Sequence, residues 1–257
     1  LRITELQEEL NSLVGRELNS NSPKQLIQYF YVDKKLPPYT KDQKLTVDED
    51  ALKRIARKGH QEANIVLDIR KLVKRKSSYL TAGKVDPDGR IRCSYNPVGT
   101  KFSRISSSEN IFGTGTNLQN WPHDLLTYLT ADNGYVYYGF DLSQFENRVV
   151  AYVGNIPQMI RVFEEHLDSH KLTAALMFQK DYADISSEPG SSSLGDGKHS
   201  ERDWGKQSNH AFNYGFGYRS FGLKHMIPEP DAKWIYEAYH SAYPGIKNSY
   251  WEYVLNC

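Results

Sequence analysis

Arg202, Lys206, His210 and Tyr214 recur at every fourth position of RDWGKQSNHAFNYGFGYRSFGL, residues 202–223. A helix turns about 100° per residue, so each step of four drifts about 40° and the side chains form one winding stripe. Two cations one turn apart suit successive phosphates of a polyanion, the guanidinium as a fork and the ammonium as a point charge. An imidazole or phenol further along that face can pack on a sugar or base. The same spacing also fits a solvated helix face, and Tyr214-Gly215 an ordinary helix end.

Three other segments carry chemistry. In DLSQFENR, Asp141 closes an apolar run and Glu146 follows five residues on. A strand-end carboxylate in a cleft suits Mg²⁺, which takes few protein oxygens and keeps waters or phosphates as its other ligands. Asp141 could equally cap the helix that follows. In KFSRISSSENIFGTGTNLQNWP, residues 101–122, Arg104, Asn117, Gln119 and Asn120 lie in polar, irregular chain. Such groups suit the acceptors of a minor groove, or an ordinary surface loop. Arg70, Lys71, Lys74, Arg75 and Lys76 put five cations in seven residues. That exceeds what a helix C-terminus needs and makes a phosphate-binding run.

The elements around these segments follow from pattern. Ser22 before Pro23 predicts an N-cap, within a helix–turn–helix over residues 1–33. Residues 34–45 read as a loop. Thr46 with Glu49 predicts a capping box opening one long helix, whose apolar face is Ile65, Ile69, Leu72 and Val73. Asp86-Pro87-Asp88-Gly89 predicts a turn, and its flanks KV and RIRCSY a hairpin. Residues 96–122 should be mostly irregular, YVYYGFDL (135–142) a strand, and SQFENRVVAYVG a helix with Phe145, Val149 and Tyr152 on its apolar side. DSHKLTAALMF should be helical, 186–197 a flexible loop, and the chain helical again from about 200.

With 257 residues, 39% hydrophobic and 25% charged, the composition is that of an ordinary globular chain with a sizeable core. No apolar run approaches the ~20 residues of a bilayer span, so no membrane role is expected. The net charge of +1 is neutral about nucleic acid. Two distant cysteines, Cys93 and Cys257, exclude a disulfide scaffold or Cys-rich zinc site and suit a reducing compartment. Neither end looks natural: Leu1 opens no signal peptide, and WEYVLNC breaks off an apolar helical face. The chain reads as a fragment.

Taken in order, SYNPVGTKFSRISSS with TNLQNWP, DLSQFENRVVAYVG, DSHKLTA and RDWGKQSNHAFNYGFGYRSFGL strongly resemble family A DNA polymerases. The resemblance runs from LNSNSPKQL to AYPGIKNSYWEYV, nearly the whole chain, and several independent motifs keep the family order. It implies an α+β fold, a right-hand polymerase fragment with helical thumb, partial antiparallel palm sheet and helical fingers. The implied divisions are 1–84 palm edge and thumb, 85–155 partial palm, and 156–257 fingers, with an O-helix-like segment at about 201–215.

The implied activity is template-directed addition of dNTPs to a primer 3′-OH by two-metal transfer. Asp141 resembles the aspartate that binds both Mg²⁺ ions, helped by the Leu142 carbonyl, with Mn²⁺ able to substitute. Glu146 resembles the glutamate that blocks a 2′-OH, and Gln144 and Arg148 hold matching positions of that motif. His170, Arg202 and Lys206 resemble the triphosphate contacts, and His210 and Tyr214 the sugar and base contacts. Arg104 resembles the arginine at the primer end, Asn117 and Gln119 the template contacts, and Lys74, Arg75 and Lys76 the thumb tip on the duplex. Implied partners are primer–template DNA, dNTPs and replication accessory proteins. The implied setting is the cytoplasm of a bacterium or phage-infected host, or an organelle.

Two departures stand out. His210 occupies a position where the family usually has Phe or Tyr and which governs acceptance of dideoxynucleotides. The family's His-Asp-Glu triplet, source of the second shared metal ligand, does not occur after residue 223, and no proofreading exonuclease precedes the thumb. Such a fragment should bind two metals poorly and extend primers weakly or not at all. A non-catalytic primer–template-binding fragment is one alternative. A single-subunit RNA polymerase is another, opposed by Glu146 and NLQN.

Overall fold

Helix-forming segments separated by Pro, Gly and Asp signals dominate the chain, and the structure follows them. It is a computed structural model and describes residues 1–80, 85–101, 103–195, 197 and 199–256. The chain divides into two units, Leu1–Gly139 and Phe140–Cys257. The divide falls inside the expected palm segment 85–155, not at its edges.

In the first unit, α1 (Arg2–Val14) buries Leu6 and Leu10, and Gly15 at φ 76° ends it. The Ser22 hydroxyl accepts from the Gln25 N–H and caps α2 (Pro23–Ile27), which runs into a π-helical turn at Gln28–Asp33. The expected loop at 34–45 contains a small hairpin, β1 (Thr40–Lys41) with β2 (Lys44–Leu45). Asp42 and Gln43 turn it with φ of 49° and 63°. Two left-handed turn residues match the twist of the strands, and no glycine advertised them.

The expected capping box does not form. Asp48 is the cap of α3 (Glu49–Ala56), accepting from the Ala51 N–H, while Thr46 accepts from the Asp48 N–H. The expected single long helix is two, broken before α4 (Gln61–Tyr79) at Gly59, whose φ is 91°. Leu10, Leu26, Phe30, Leu52, Ile55, Val66 and Ile69 form the core of these helices.

Beyond α4 the first unit is held by polar contacts more than by burial. The Asp86–Gly89 turn forms, with the Gly89 N–H donating to the Asp86 carbonyl at 2.9 Å. Among the described residues its flanks form no ladder, although the Asp86 N–H donates to the Arg90 carbonyl at 2.8 Å; Lys84 of the expected hairpin lies outside the described residues. The antiparallel ladder instead joins β3 (Ser94–Asn96) to β4 (Ser106–Ser108). Arg92 pairs with Asp86 and Asp88, and Thr114 and Asn110 donate to Asp86, fastening the turn to the loop that precedes α5 (His123–Leu126).

YVYYGFDL forms no strand. Tyr135, Val136, Tyr137, Tyr138, Phe140 and Leu142 are all exposed. Strand preference is mostly preference for a packed, paired surface, and no described segment pairs with this one. The α+β class holds, with two small antiparallel ladders in a mostly helical chain.

The second unit holds α6 (Phe145–Val153), α7 (Pro157–Glu164), α8 (Ser169–Phe178), α9 (Glu201–Phe212), α10 (Tyr218–His225) and α11 (Glu229–Ala242). A π-helical turn at Ile246–Trp251 then leads into α12 (Glu252–Asn256). Asp168 caps α8, and Ser200 with Asp203 forms a complete capping box on α9. α7, with Pro157 in its first turn, was not anticipated. The buried side of α6 is Asn147, Val150 and Ala151, whereas Phe145, Val149 and Tyr152 are exposed, the reverse of the expected face. Trp204, Phe212, Phe221, Tyr239 and Tyr243 centre the core. No helix among the described residues is long and apolar enough to cross a membrane.

Candidate active site

α8 and α9 pack closely because Gly205 has no side chain. A Cβ there would lie 2.1 Å from the His170 carbonyl oxygen and 2.9 Å from the Ala174 nitrogen. The packing brings the first turn of α8 beside the polar stripe of α9. Asp168 fastens the two starts: it caps α8 and accepts from Arg202 Nε and Nη2, both at 2.7 Å. Burial pushes the Asp168 carboxyl up, but backbone donation from Lys171 and the Arg202 guanidinium outweigh it, and the group sits below its ordinary range.

A cleft of about 680 Å³, in the usual range for small-molecule sites, is lined by Phe140–Asn147, His170, Arg202, Lys206 and His210. One wall is therefore Asp141, Leu142, Gln144 and Glu146, and the other is cationic and imidazole. Eight expected site residues converge here. Asp141 is exposed in the cleft and does not cap α6, whose N-cap is Gln144 at φ 54°. Lys206 is exposed and makes no ion pair among the described residues. His170 is buried, and burial lowers its pKa to about 4, with the nearby Arg202, His210 and Lys206 charges adding to the drop and Asp168 opposing it. His210 packs 5.6 Å from it, ring to ring, and burial followed by Lys206 lowers its pKa too. His170 is thus neutral at pH 7, His210 is shifted in the same direction, and the permanent cations of the cleft are Arg202 and Lys206.

Two expected residues stand apart from this cleft. The stripe loses Tyr214, which lies beyond the end of α9 and is half exposed, where the chain turns at Gly215 with φ 74°. Arg148 is turned inward on α6, donating to the Ser143 carbonyl at 3.0 Å with its guanidinium 4.5 Å from the Phe163 ring centre.

The remaining expected residues belong to the first unit, where they lie together. Ser107 donates to Asn117 at 2.7 Å, and Gln119 donates to the Ile105 carbonyl at 3.0 Å, tying the NLQN segment to the chain around Arg104. Tyr79 donates to the Asn120 carbonyl at 2.8 Å and Arg75 pairs with Asp124, bringing the end of α4 alongside. Lys71, Lys74 and Lys76 are exposed on that helix. The basic run is not wholly a binding surface: Arg70 is a structural clasp, donating to the Ser20 and Val47 carbonyls at 2.9 and 2.7 Å. Asn117 is likewise occupied, since its side-chain oxygen also caps the turn at Leu118–Asn120.

Sequence inspection missed the buried polar network beneath the cleft. Asn213 donates to Asn147 at 2.6 Å, Asn147 to Ser169 at 3.2 Å, and Tyr239 to Asn213 at 2.7 Å. Asn209 contacts His170 Nδ1 at 3.1 Å and Thr173 at 3.0 Å, and Thr173 meets Tyr243 at 3.0 Å. The available signal was Asn209 and Asn213 four apart beside the apolar Ala211 and Phe212, on the buried side of α9.

Asp141 and Glu146 supply two carboxylates, and the Gln144 side-chain oxygen is buried with no hydrogen-bond donor among the described residues. No group of three His, Cys, Asp or Glu side chains gathers as metal ligands among the described residues. The donor set fits Mg²⁺ held by few protein oxygens together with a ligand's phosphates, and does not form a closed protein cage.

The family model described as DNA polymerase family A matches residues 1–257. A DNA polymerase I of Treponema pallidum is 29% identical over 95% of this chain and 24% of its own length. That of Rhizobium leguminosarum is 30% identical over 95% and 23%. A thermostable DNA polymerase I of Thermus thermophilus is 29% identical over 95% and 29%. The chain thus spans about a quarter of the length of these relatives. The fold matches the POL domain of Pol1 from M. smegmatis, in complex with DNA primer-template and dNTP, with a TM-score of 0.69 and 24% identity. That match covers 96% of this chain and 42% of the other.

Proposed function

The chain belongs to DNA polymerase family A, and from that premise we propose that its cleft receives the triphosphate of an incoming dNTP for template-directed DNA synthesis. The observation that carries the proposal is the convergence of His170, Arg202, Lys206 and His210 on one side of a cleft whose other side holds Asp141 and Glu146. Lys206 supplies an ammonium with no ion pair among the described residues, and Asp168 holds Arg202 through Nε and Nη2. His210, further along α9, flanks the sugar and base. Glu146 crowds the sugar from the opposite wall and disfavours a 2′-OH.

Family A DNA polymerases generally use divalent metals. Asp141, with the Leu142 carbonyl, would hold Mg²⁺ here, two ions in the complete site, with Mn²⁺ able to substitute. Bound Mg²⁺ supplies activation of the attacking 3′-OH and neutralisation of the leaving pyrophosphate. In the first unit Arg104, Gln119, Lys74 and Lys76 form the face for primer–template DNA. α1–α4 then correspond to palm edge and thumb, the segment from Val85 through Asp141 and α6 to palm, and α7–α12 to fingers.

Primer extension by this chain with Mg²⁺ and dNTPs, beside Asp141→Asn and a gel shift on primer–template DNA, tests the proposal. Extension that disappears in Asp141→Asn supports it. Binding without extension favours the non-catalytic reading for this chain. Neither binding nor extension contradicts both.

A further inference from the structure

Asp168 uses every acceptor position of its carboxylate on the two helix starts beside the cleft. Oδ1 accepts from the His170 and Lys171 N–H groups at 2.9 and 3.1 Å. Oδ2 accepts from Arg202 Nε and Nη2, both at 2.7 Å. A carboxylate offers about four such positions, so its work here is to hold other groups rather than a metal ion or a reacting proton. The residue is itself fixed, because its backbone N–H donates to the Tyr182 hydroxyl at 3.1 Å.

The Arg202 guanidinium needs such a partner. Arg202 is the second residue of α9, where the positive end of the helix disfavours a cation. Its backbone N–H donates to the Ser186 carbonyl at 3.2 Å, which fixes the chain but not the side chain. The neighbouring carboxylates serve elsewhere: Glu201 pairs with Lys180, and Asp203 accepts from the Ser200 N–H in the capping box. Asp168 takes the Nε–Nη2 edge of the guanidinium. A planar fork has a second such edge, Nη1 with Nη2, so a phosphate can be gripped without the pair being broken.

We propose that Asp168 is a positioning residue that immobilises the Arg202 guanidinium at the cleft wall, so that the phosphates of the ligand meet a side chain already held in place. Arg202 lines the cleft. Freezing one long side chain on binding weakens affinity by up to about tenfold, and a side chain frozen beforehand escapes that loss. That Arg202 grips a phosphate rests on the proposed dNTP site, whereas its immobilisation by Asp168 does not.

Asp168→Asn separates the two jobs of the residue. Asparagine caps a helix about as well as aspartate, so its side-chain oxygen keeps the start of α8 and the His170 backbone in place. Its amide nitrogen then faces the guanidinium, donor against donor, and Arg202 is released. The first readout is ¹⁵N relaxation of the arginine Nε–H groups in the ligand-free chain, with Arg202 assigned by its loss in Arg202→Gln. The parent Arg202 Nε–H should be as rigid as the backbone, and in Asp168→Asn it should become mobile on the ps–ns timescale. A mobile Nε–H in the parent overturns the proposal, and that spectrum decides even if the variant does not fold. An Nε–H equally rigid in Asp168→Asn also overturns it.

Titration with dATP in Mg²⁺ supplies the second readout, in about 0.5 M KCl so that the change of net charge is screened. Asp168→Asn should weaken dATP binding about fivefold, the scale of freezing one long side chain. It should cost less than about twofold in an Arg202→Gln background, where there is no guanidinium to hold. Equal losses in both backgrounds would show that Asp168 acts on the fold rather than through Arg202. Tighter binding in Asp168→Asn would show a counter-charge that the ligand must displace, and would overturn the proposal. If Arg202 is rigid in the parent and released in Asp168→Asn but the parent does not bind dATP, the nucleotide site fails and the immobilisation of Arg202 stands.

Discussion

Gly205→Ala separates close helix approach from ordinary helix propensity. In an open helix this change gains about 1 kcal/mol, because alanine loses less backbone freedom than glycine. Here the new Cβ would sit 2.1 Å from the His170 carbonyl oxygen and 3.2 Å from the Ala174 Cβ. Reaching even a tight contact of 3.0 Å requires α8 and α9 to separate by roughly 0.9 Å at that point. The obstacle is backbone, which cannot rotate away. Overpacking of this kind costs about 1–3 kcal/mol, and the carbonyl contact places it at the upper end. The net expectation is a destabilisation of about 1–2 kcal/mol, or a fall in Tm of about 4–8 °C for a unit of this size. Thermal unfolding followed by tryptophan fluorescence reports it, since Trp204 adjoins the substituted residue. Because the displaced carbonyl belongs to His170, dATP affinity should fall as well. A variant as stable as the parent, or more stable, would refute the close approach that builds the cleft.

His240 predicts an acid sensitivity. It is buried among Phe212, Tyr236, Tyr239 and Trp251 with neither ring nitrogen hydrogen-bonded among the described residues, and burial, with Lys247 nearby, lowers its pKa to about 4. The folded protein therefore binds this proton more weakly than the unfolded chain, whose histidine titrates near 6.5. Its contribution is complete above pH 6.5 and is lost as pH falls from 6.5 towards 4, by about 1–2 kcal/mol between pH 7 and pH 5. His240→Phe should remove that part of the acid loss and stabilise the protein at pH 5; an unchanged acid loss in denaturation at the two pH values would contradict this. His210 predicts altered sugar discrimination. His210→Phe should change the ratio of dNTP to ddNTP incorporation, or of their affinities where incorporation is too slow, and an identical ratio would remove His210 from the sugar contact.

The polar stripe was legible because its chemistry lies in residue types at a fixed spacing, and α9 supplies that spacing. The cleft positions of Asp141 and Glu146 follow from short-range spacing in the same way, and Ser22 was legible because capping is local chemistry. What failed depended on partners distant in the chain. YVYYGFDL has strand composition, yet a strand needs a neighbour, and its apolar side chains stay exposed. The face of α6 was inverted because Asn147 is buried to serve Asn213 and Ser169, a demand no periodicity reveals. The need for glycine at 205 was not legible either, because it is set by the His170 carbonyl that packs against it from α8. Asn117 and Arg70 looked available to a ligand, but each is occupied by backbone groups nearby.

The central claim is that the cleft between the motif carrying Asp141 and the face of α9 grips a triphosphate. Calorimetric titration of the chain with dATP and with deoxyadenosine, both in Mg²⁺ and beside Lys206→Gln, tests it most directly. Lys206 is exposed and holds no ion pair among the described residues, so its replacement leaves the fold intact. The account predicts that dATP binds, that deoxyadenosine binds at least about 100-fold more weakly, and that Lys206→Gln costs dATP about tenfold or more, the loss of one charge-assisted phosphate contact. Equal affinity for dATP and deoxyadenosine, or a dATP affinity indifferent to Lys206, would contradict it.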